Sequence, residues 1–140
     1  MLQALREAQT AFEKGEVPIG AIIVAKEQII GRGYNQTELL KDPTAHAEIV
    51  AIRRAAQKLG TWRLDECKLV VTLEPCAMCA GAIAQSRINT LVFGAWDEKA
   101  GAVGSVWDVL RDPRAIHKME VVGGVLEADC AELLTNFFRQ

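Results

Sequence analysis

Residues 68–79 read Lys68-Leu69-Val70-Val71-Thr72-Leu73-Glu74-Pro75-Cys76-Ala77-Met78-Cys79. The stretch from Lys68 to Leu73 is aliphatic and β-branched, which predicts a strand. Glu74-Pro75 then turns the chain into a helix running to about Gln85, and proline suits a first helical turn because its missing N–H costs nothing there. A largely apolar strand that passes straight into a helix belongs to an α/β architecture. Cys76 and Cys79 are three apart, so on a helix they share a face and can grip one ion. Free N–H groups and the helix dipole at that end favour thiolates. Pro-Cys-x-x-Cys also suits a redox dithiol, and the motif alone does not choose between the two.

Working outward, the flanking chain extends the α/β pattern. Residues 2–14 read as a helix with Leu5, Ala8 and Phe12 on one face and Lys14-Gly15 as its stop. Ile19–Ala25 has the composition of a central strand, and Gln28–Asn35 follows a tight turn as its hairpin partner. Residues 36–43 are polar and break at Asp42-Pro43. A helix is then expected from about Ala45 to Leu59, with Ala45, Ile49, Ile52, Ala56 and Leu59 as its buried stripe and Gly60 as its end. Beyond residue 85, Thr90–Ala95 is a strand, 96–105 a glycine-rich loop and Val106–Leu110 a short helix. Met119–Val122 can form a last strand, and Leu126, Cys130, Leu133 and Phe137 give the final helix its apolar face. The expectation is one α/β domain over residues 1–140, a three-layer α/β/α sandwich around a five-stranded mixed sheet.

Composition sets outer bounds. A chain of 140 residues, 50% hydrophobic and 24% charged, can bury one full core. No apolar run approaches the ~20 residues needed to span a bilayer, and no signal segment opens the chain, so a cytoplasmic location without a membrane partner is expected. The four cysteines read as metal ligands or buried thiols rather than a disulfide framework. A net charge of −2 shows no overall nucleic-acid signature, although a local basic patch can still bind RNA.

The second block that carries chemistry is Thr44-Ala45-His46-Ala47-Glu48. Mid-helix, residues two apart point about 200° away from each other. In a first turn that constraint relaxes, because an ion lying off the helix end can be approached from either side. Asp42 or Thr44 as the N-cap puts both residues there. His-x-Glu is weak alone but strong when joined to Pro-Cys-x-x-Cys after an intervening strand. His46, Cys76 and Cys79 would leave a fourth zinc position open for water, with Glu48 to move protons. A purely structural zinc needs a fourth protein ligand. Cys67 lies roughly 20 Å back along the strand at ~3.3 Å per residue, and Cys130 sits on an apolar stripe. His117, the other histidine, stays available on sequence grounds. With an open position, zinc lowers the pKa of its water to about 7, and a carboxylate whose pKa is raised in a dry site can both accept and deliver protons.

His-x-Glu followed by Pro-Cys-x-x-Cys is the established signature of the zinc nucleobase deaminases. The chain resembles one branch of them, the bacterial tRNA-specific adenosine deaminases. The resemblance runs through Gly15–Ala21, Asp42–Ile49, Val71–Gly81, Ser86-Arg87-Ile88, Phe93-Gly94-Ala95, Asp97, Lys99, Gly101, Gly104-Ser105 and Phe137-Phe138. It implies a cytidine deaminase-like fold and hydrolysis of adenosine to inosine at the first anticodon position of an arginine tRNA. It also implies one zinc per subunit, and a homodimer in which each site is bordered by the partner chain. Carried over by position, His46, Cys76 and Cys79 hold zinc and Glu48 shuttles protons. Asn35 hydrogen-bonds the flipped nucleoside, and Ile19, Ala21 and the Glu74-Pro75 turn wall the base pocket. Asp97 and Lys99 lie along the RNA backbone, with His117 and Phe138 near flanking nucleotides. Read as residues alone, Asn35 is a strand-end turn residue and Phe138 a packing or interface residue. Two departures stand out: Ile116 where the family usually has asparagine, and Tyr34 where it often has histidine or tryptophan.

Two other readings fit part of the pattern. A deaminase of a free base or nucleotide, guanine or a cytosine compound, shares the zinc chemistry and fits the near-neutral charge. A non-catalytic, zinc-stabilised RNA-binding domain belongs to another class, and Glu48 speaks against it because a structural site needs no such acid.

Overall fold

The computed structural model describes all 140 residues. In chain order the elements are α1 (Leu2–Glu13), β1 (Gly20–Ala25), β2 (Gln28–Tyr34), α2 (Thr37–Leu40), α3 (Ala47–Leu59), β3 (Lys68–Leu73), α4 (Ala77–Gln85), β4 (Thr90–Ala95), β5 (Glu120–Val122) and α5 (Glu127–Phe138). The strands form one sheet in the order β2-β1-β3-β4-β5. β1 runs antiparallel to both β2 and β3, whereas β3, β4 and β5 are mutually parallel. The five-stranded mixed sheet expected from the sequence is present.

Helices cover both faces. Ala47, Ala51, Ala55, Ala80 and Ile83, from α3 and α4, share the main core with Ala21, Ile23, Leu69, Val71 and Phe93 of the sheet. On the opposite face Ala4 of α1 packs with Ile22 and Val70, and Phe12 meets Phe137 of α5 edge to face at 5.8 Å. Alternate strand residues thus feed two cores, giving the three layers. No helix is long and apolar enough to cross a membrane.

The buried stripe of α3 differs from the expected one. Ala47, Glu48, Val50, Ala51 and Ala55 are buried, while Ile49, Ile52 and Ala56 are half-buried and Leu59 is exposed. The cause lies in β2. A Cβ on Gly33 would stand 2.5 Å from the Ala47 carbonyl oxygen and 2.7 Å from the Ala51 nitrogen. Small residues on both elements let the helix backbone approach the strand, and the larger aliphatics flank that contact. A stripe weighted by hydrophobicity picks isoleucine over alanine and so misses it.

Four local details also depart from expectation. The N-cap of α3 is His46, not Thr44 or Asp42; the Asp42 carboxylate instead accepts bonds from the Thr44 N–H and hydroxyl at 2.9 and 2.7 Å, which holds a separate turn. Pro75 lies just outside α4, whose N-cap is Cys76. Val106–Leu110 is not helical, because the Val106 and Trp107 N–H groups are both spent on the Gly101 carbonyl. The single turn of α2, unforeseen, is held by the buried Glu16 carboxylate, which accepts from the Glu38 and Leu39 N–H groups. The stops at Gly15 and Gly60 are as expected, each glycine in the left-handed region with φ of 77° and 73°.

Candidate active site

Two helix N-termini meet at the C-terminal end of β3. His46 caps α3 and Cys76 caps α4; both have extended backbone, and neither side chain bonds its own helix end. A capping residue that does not cap leaves its side chain free to turn toward the other helix. The His46 Nδ1 atom lies 3.7 Å from Cys76 Sγ and 3.5 Å from Cys79 Sγ. The three donor atoms all fall within 4.8 Å of one another.

Those separations suit zinc. With Zn–S near 2.3 Å and Zn–N near 2.05 Å, a tetrahedral N···S edge is about 3.6 Å. One imidazole and two thiols also match the borderline-soft donors zinc prefers. No other histidine, cysteine, aspartate or glutamate joins the grouping, so an ion held by these three side chains would keep one tetrahedral position free. Cys67 and Cys130 are buried in the cores as packed thiols.

The side chains polarise one another. A hydrogen bond with the Cys79 thiol, then one with His46, holds the Cys76 thiol down to about 3 against the opposing effect of burial. The bond to Cys76 and burial drive Cys79 up, and His46 is raised by its bond to the Cys76 sulfur. Cys76 is therefore an anionic donor of the kind a cation takes up. Glu48, 4% exposed, is pushed up to about 7, chiefly by burial. A carboxyl in that range can both hold and release a proton near neutrality.

These groups open into a cavity of about 140 Å³ lined by Ile19, His46, Glu48, Leu73, Glu74, Cys76, Asp97 and Ala100. Clefts for drug-sized ligands run to about 300–1,000 Å³, so this one suits a single flat heterocycle. Outside it a groove of about 550 Å³ shares Ile19, Leu73, Asp97 and Ala100 and adds Val17, Trp96, Lys99, Leu134 and Phe138. The Phe138 ring is 68% exposed there, and Trp96 44%.

Known proteins are similar to this chain along its whole length. The tRNA-specific adenosine deaminase of Bacillus subtilis is 49% identical over 140 residues, covering 100% of this chain and 87% of the relative. That of Aquifex aeolicus is 50% identical over 137 residues, covering 98% and 90%. A solved structure from a study of A-to-I editing by tRNA:A34 deaminases at the wobble position superposes with a TM-score of 0.93 at 48% identity, covering 96% of this chain and 97% of the other. The chain belongs to the tRNA-specific adenosine deaminase family. A broader family profile, MafB19-like deaminase, matches residues 1–140. The guanine deaminase of Nitrosomonas europaea is more distant, at 27% identity and a TM-score of 0.80 over 98% of this chain and 81% of that one. The protein is thus a deaminase with a cytidine deaminase-like fold, and its histidine–cysteine grouping is compatible with a zinc site.

The residues carried over from the family are not all brought to the cavity. His46, Glu48, Cys76, Ile19, Glu74 and Asp97 line the cavity, with Cys79 behind it, and Lys99 and Phe138 border the groove. Ala21 instead sits in the main core, paired with Gly33 and Val71, and Pro75 is buried with its carbonyl accepting from Ala102 N–H at 2.8 Å. Asn35 is buried just past β2 and donates its backbone N–H to the Ile19 carbonyl at 3.1 Å, so it touches the cavity through Ile19. His117 is placed elsewhere: its Nε2 bonds the Ile88 carbonyl at 2.8 Å, before the start of β4, at the end of that strand away from Asp97. Leu73, Trp96, Ala100, Val17 and Leu134 were not foreseen as lining residues. For Leu73, Trp96, Ala100 and Leu134 the signal was position alone, at or beyond the C-terminal ends of parallel strands and along the last helix, while Val17, in the segment before β1, carried none.

Proposed function

We propose that the protein hydrolyses adenosine to inosine at the first anticodon position of a tRNA, an arginine tRNA in the first instance, acting as one catalytic domain over residues 1–140. The observation that carries this reading is Glu48 buried in the same small cavity as His46 and Cys76, with Cys79 completing the donor set. His46, Cys76 and Cys79 would hold one zinc ion, which when bound supplies an acidified water at neutral pH.

The chain's own groups account for the remaining steps. Ile19 and Leu73 offer apolar surface to the faces of a base and exclude bulk water. The Glu48 carboxylate takes one proton from the attacking water and passes it to the ring nitrogen beside the attacked carbon; it then takes the second proton from the hydroxyl added to that carbon and gives it to the departing amine. Water adds, ammonia leaves, and the base becomes hypoxanthine. Asn35 is assigned to the nucleoside, Asp97 and Lys99 to the RNA backbone, and Phe138 to a stacked flanking base. Ala21 and Pro75 support the wall from within rather than forming it. His117 is a candidate for RNA outside the cavity. The protein is proposed to work as a homodimer in the cytoplasm.

A loop nucleotide is already poorly stacked, so presenting it costs a few kcal/mol or less. The Nitrosomonas guanine deaminase, similar along nearly the whole chain, keeps a free-base reading in view. A substrate panel separates them: an arginine-tRNA anticodon stem-loop with adenosine first in the anticodon, the same loop with cytidine there, and free guanine, adenosine and cytidine. Inosine in the first loop alone is the expected result. Turnover of a free base with the loop untouched would overturn the substrate.

A further inference from the structure

Glu74 is a buried acid that the chemistry above does not use. It directly follows β3, two residues before Cys76, is 2% exposed, and has no cationic partner. Its carboxylate is occupied instead by the loop 97–105. Oε1 accepts from the Asp97 N–H at 3.0 Å and from the Ser105 hydroxyl; Oε2 accepts from the Val103 and Ser105 N–H groups, each at 3.0 Å. One side chain thus fastens both ends of a nine-residue loop to the strand that carries the cysteines.

The fastening continues into the cavity wall. Asp97, held by Glu74, accepts the Lys99 and Ala100 N–H groups on Oδ1 at 3.1 Å each and the Gly101 N–H on its carbonyl at 2.9 Å. That turn presents Asp97 and Ala100 to the cavity. Gly101 lies against the Glu74 carboxyl so closely that a Cβ would collide with it. Gly101 also bridges Cys76, and Ala102 N–H bonds the Pro75 carbonyl. Polar groups this buried are costly to leave unpaired, and every partner here is a backbone or hydroxyl donor that only an ionised carboxylate can satisfy at once.

We propose that Glu74 is the positioning residue of the deaminase site, setting the width of the base cavity by clamping the 97–105 loop before any substrate arrives. This rests on the reading that the cavity holds the reacting base. Glutamine keeps the size of the side chain but turns an NH2 group toward N–H donors, so Glu74→Gln releases one end of the loop. Ser105→Ala removes one donor, leaves the carboxylate intact, and serves as the milder variant should Glu74→Gln fold poorly.

The test follows amide hydrogen exchange at Asp97, Val103 and Ser105, together with kcat and KM per folded, zinc-loaded molecule, in wild type and both variants. The expected result is faster exchange at those amides, a raised KM, and kcat/KM down about 10²-fold for Glu74→Gln, the loss typical of an ångström-scale misplacement, with Ser105→Ala intermediate. Unchanged exchange would overturn the clamp. Faster exchange with unchanged KM and kcat/KM would reduce Glu74 to a structural residue and overturn its positioning role. The constants are read on whichever base or stem-loop the wild type turns over, so failure of the tRNA reading shows in the wild type and leaves this comparison standing.

Discussion

His46 Nδ1 stands 3.5 Å from Cys79 Sγ although the residues are 33 apart in sequence and belong to different helices. The contact exists because the N-termini of α3 and α4 converge where β3 ends. Purified protein should therefore carry one zinc per chain, and His46→Ala or Cys79→Ser should lose it. Changes to groups that merely orient ligands cost about 10–100-fold, so activity should fall by at least ~10²-fold. Metal content by mass spectrometry, read beside the rate, checks this.

Glu48 shares the cavity with His46 and Cys76 and is buried. Glu48→Gln should keep the fold and the zinc, since a neutral amide of the same size suits a buried position. It should lower turnover by about 10²–10⁴-fold, the usual contribution of a positioned acid–base group. A thermal melt and a zinc assay on the variant exclude the trivial explanation.

The Glu74 carboxyl makes a pH prediction. Burial works to raise its pKa, but the Ser105 hydroxyl and the N–H groups of Asp97, Ser105 and Val103 outweigh it and hold the carboxyl below its usual value of 4.5. A depressed folded-state pKa contributes stability that is complete above the unfolded value and is lost as pH falls through the folded one. Glu74→Gln should cost about 2 kcal/mol near neutrality through lost charge-assisted bonds. Urea titrations should show that gap narrowing below about pH 4.5, as the wild-type carboxyl protonates.

Gly33 and Gly81 should behave oppositely. A Cβ at Gly33 meets the α3 backbone at 2.5 Å, whereas one at Gly81, inside α4, meets nothing within 4 Å. Gly33→Ala should destabilise by about 1–3 kcal/mol through overpacking and displace His46 with the helix. Gly81→Ala should be neutral or stabilise by up to about 1 kcal/mol. Equilibrium unfolding decides both.

Phe138 presents its ring at the mouth of the groove, braced edge-on by Phe137 at 5.2 Å. Phe138→Ala should weaken stem-loop binding by about 1–3 kcal/mol if a base stacks there, without changing the melting temperature appreciably. Titration of a fluorescent stem-loop measures it.

The sequence carried the sheet and the grouping of His46, Cys76 and Cys79 because both rest on local signals. Lys68–Leu73 and Thr90–Ala95 are apolar runs bounded by turn residues, and their limits match the strands found. His46, Cys76 and Cys79 were legible through spacing near helix starts. What was not legible depends on distant backbone groups. Glu74 bonds N–H groups 23–31 residues away, which no periodicity records. The alanine face of α3 depends on glycines in another strand. The segment 106–110 carries apolar residues at helical spacing, yet its amides are captured by Gly101. His117 looked like a site residue by position in the family, and only its bond to Ile88 shows which end of β4 it serves.

The most direct measurement is single-turnover deamination of an arginine-tRNA anticodon stem-loop, with zinc-loaded wild type and Glu48→Gln in parallel. Inosine at the first anticodon position with wild type, and a rate lower by at least ~10²-fold with the variant, is the predicted result. Equal rates in the two proteins, or no inosine in that loop with fully loaded wild type, would contradict the account.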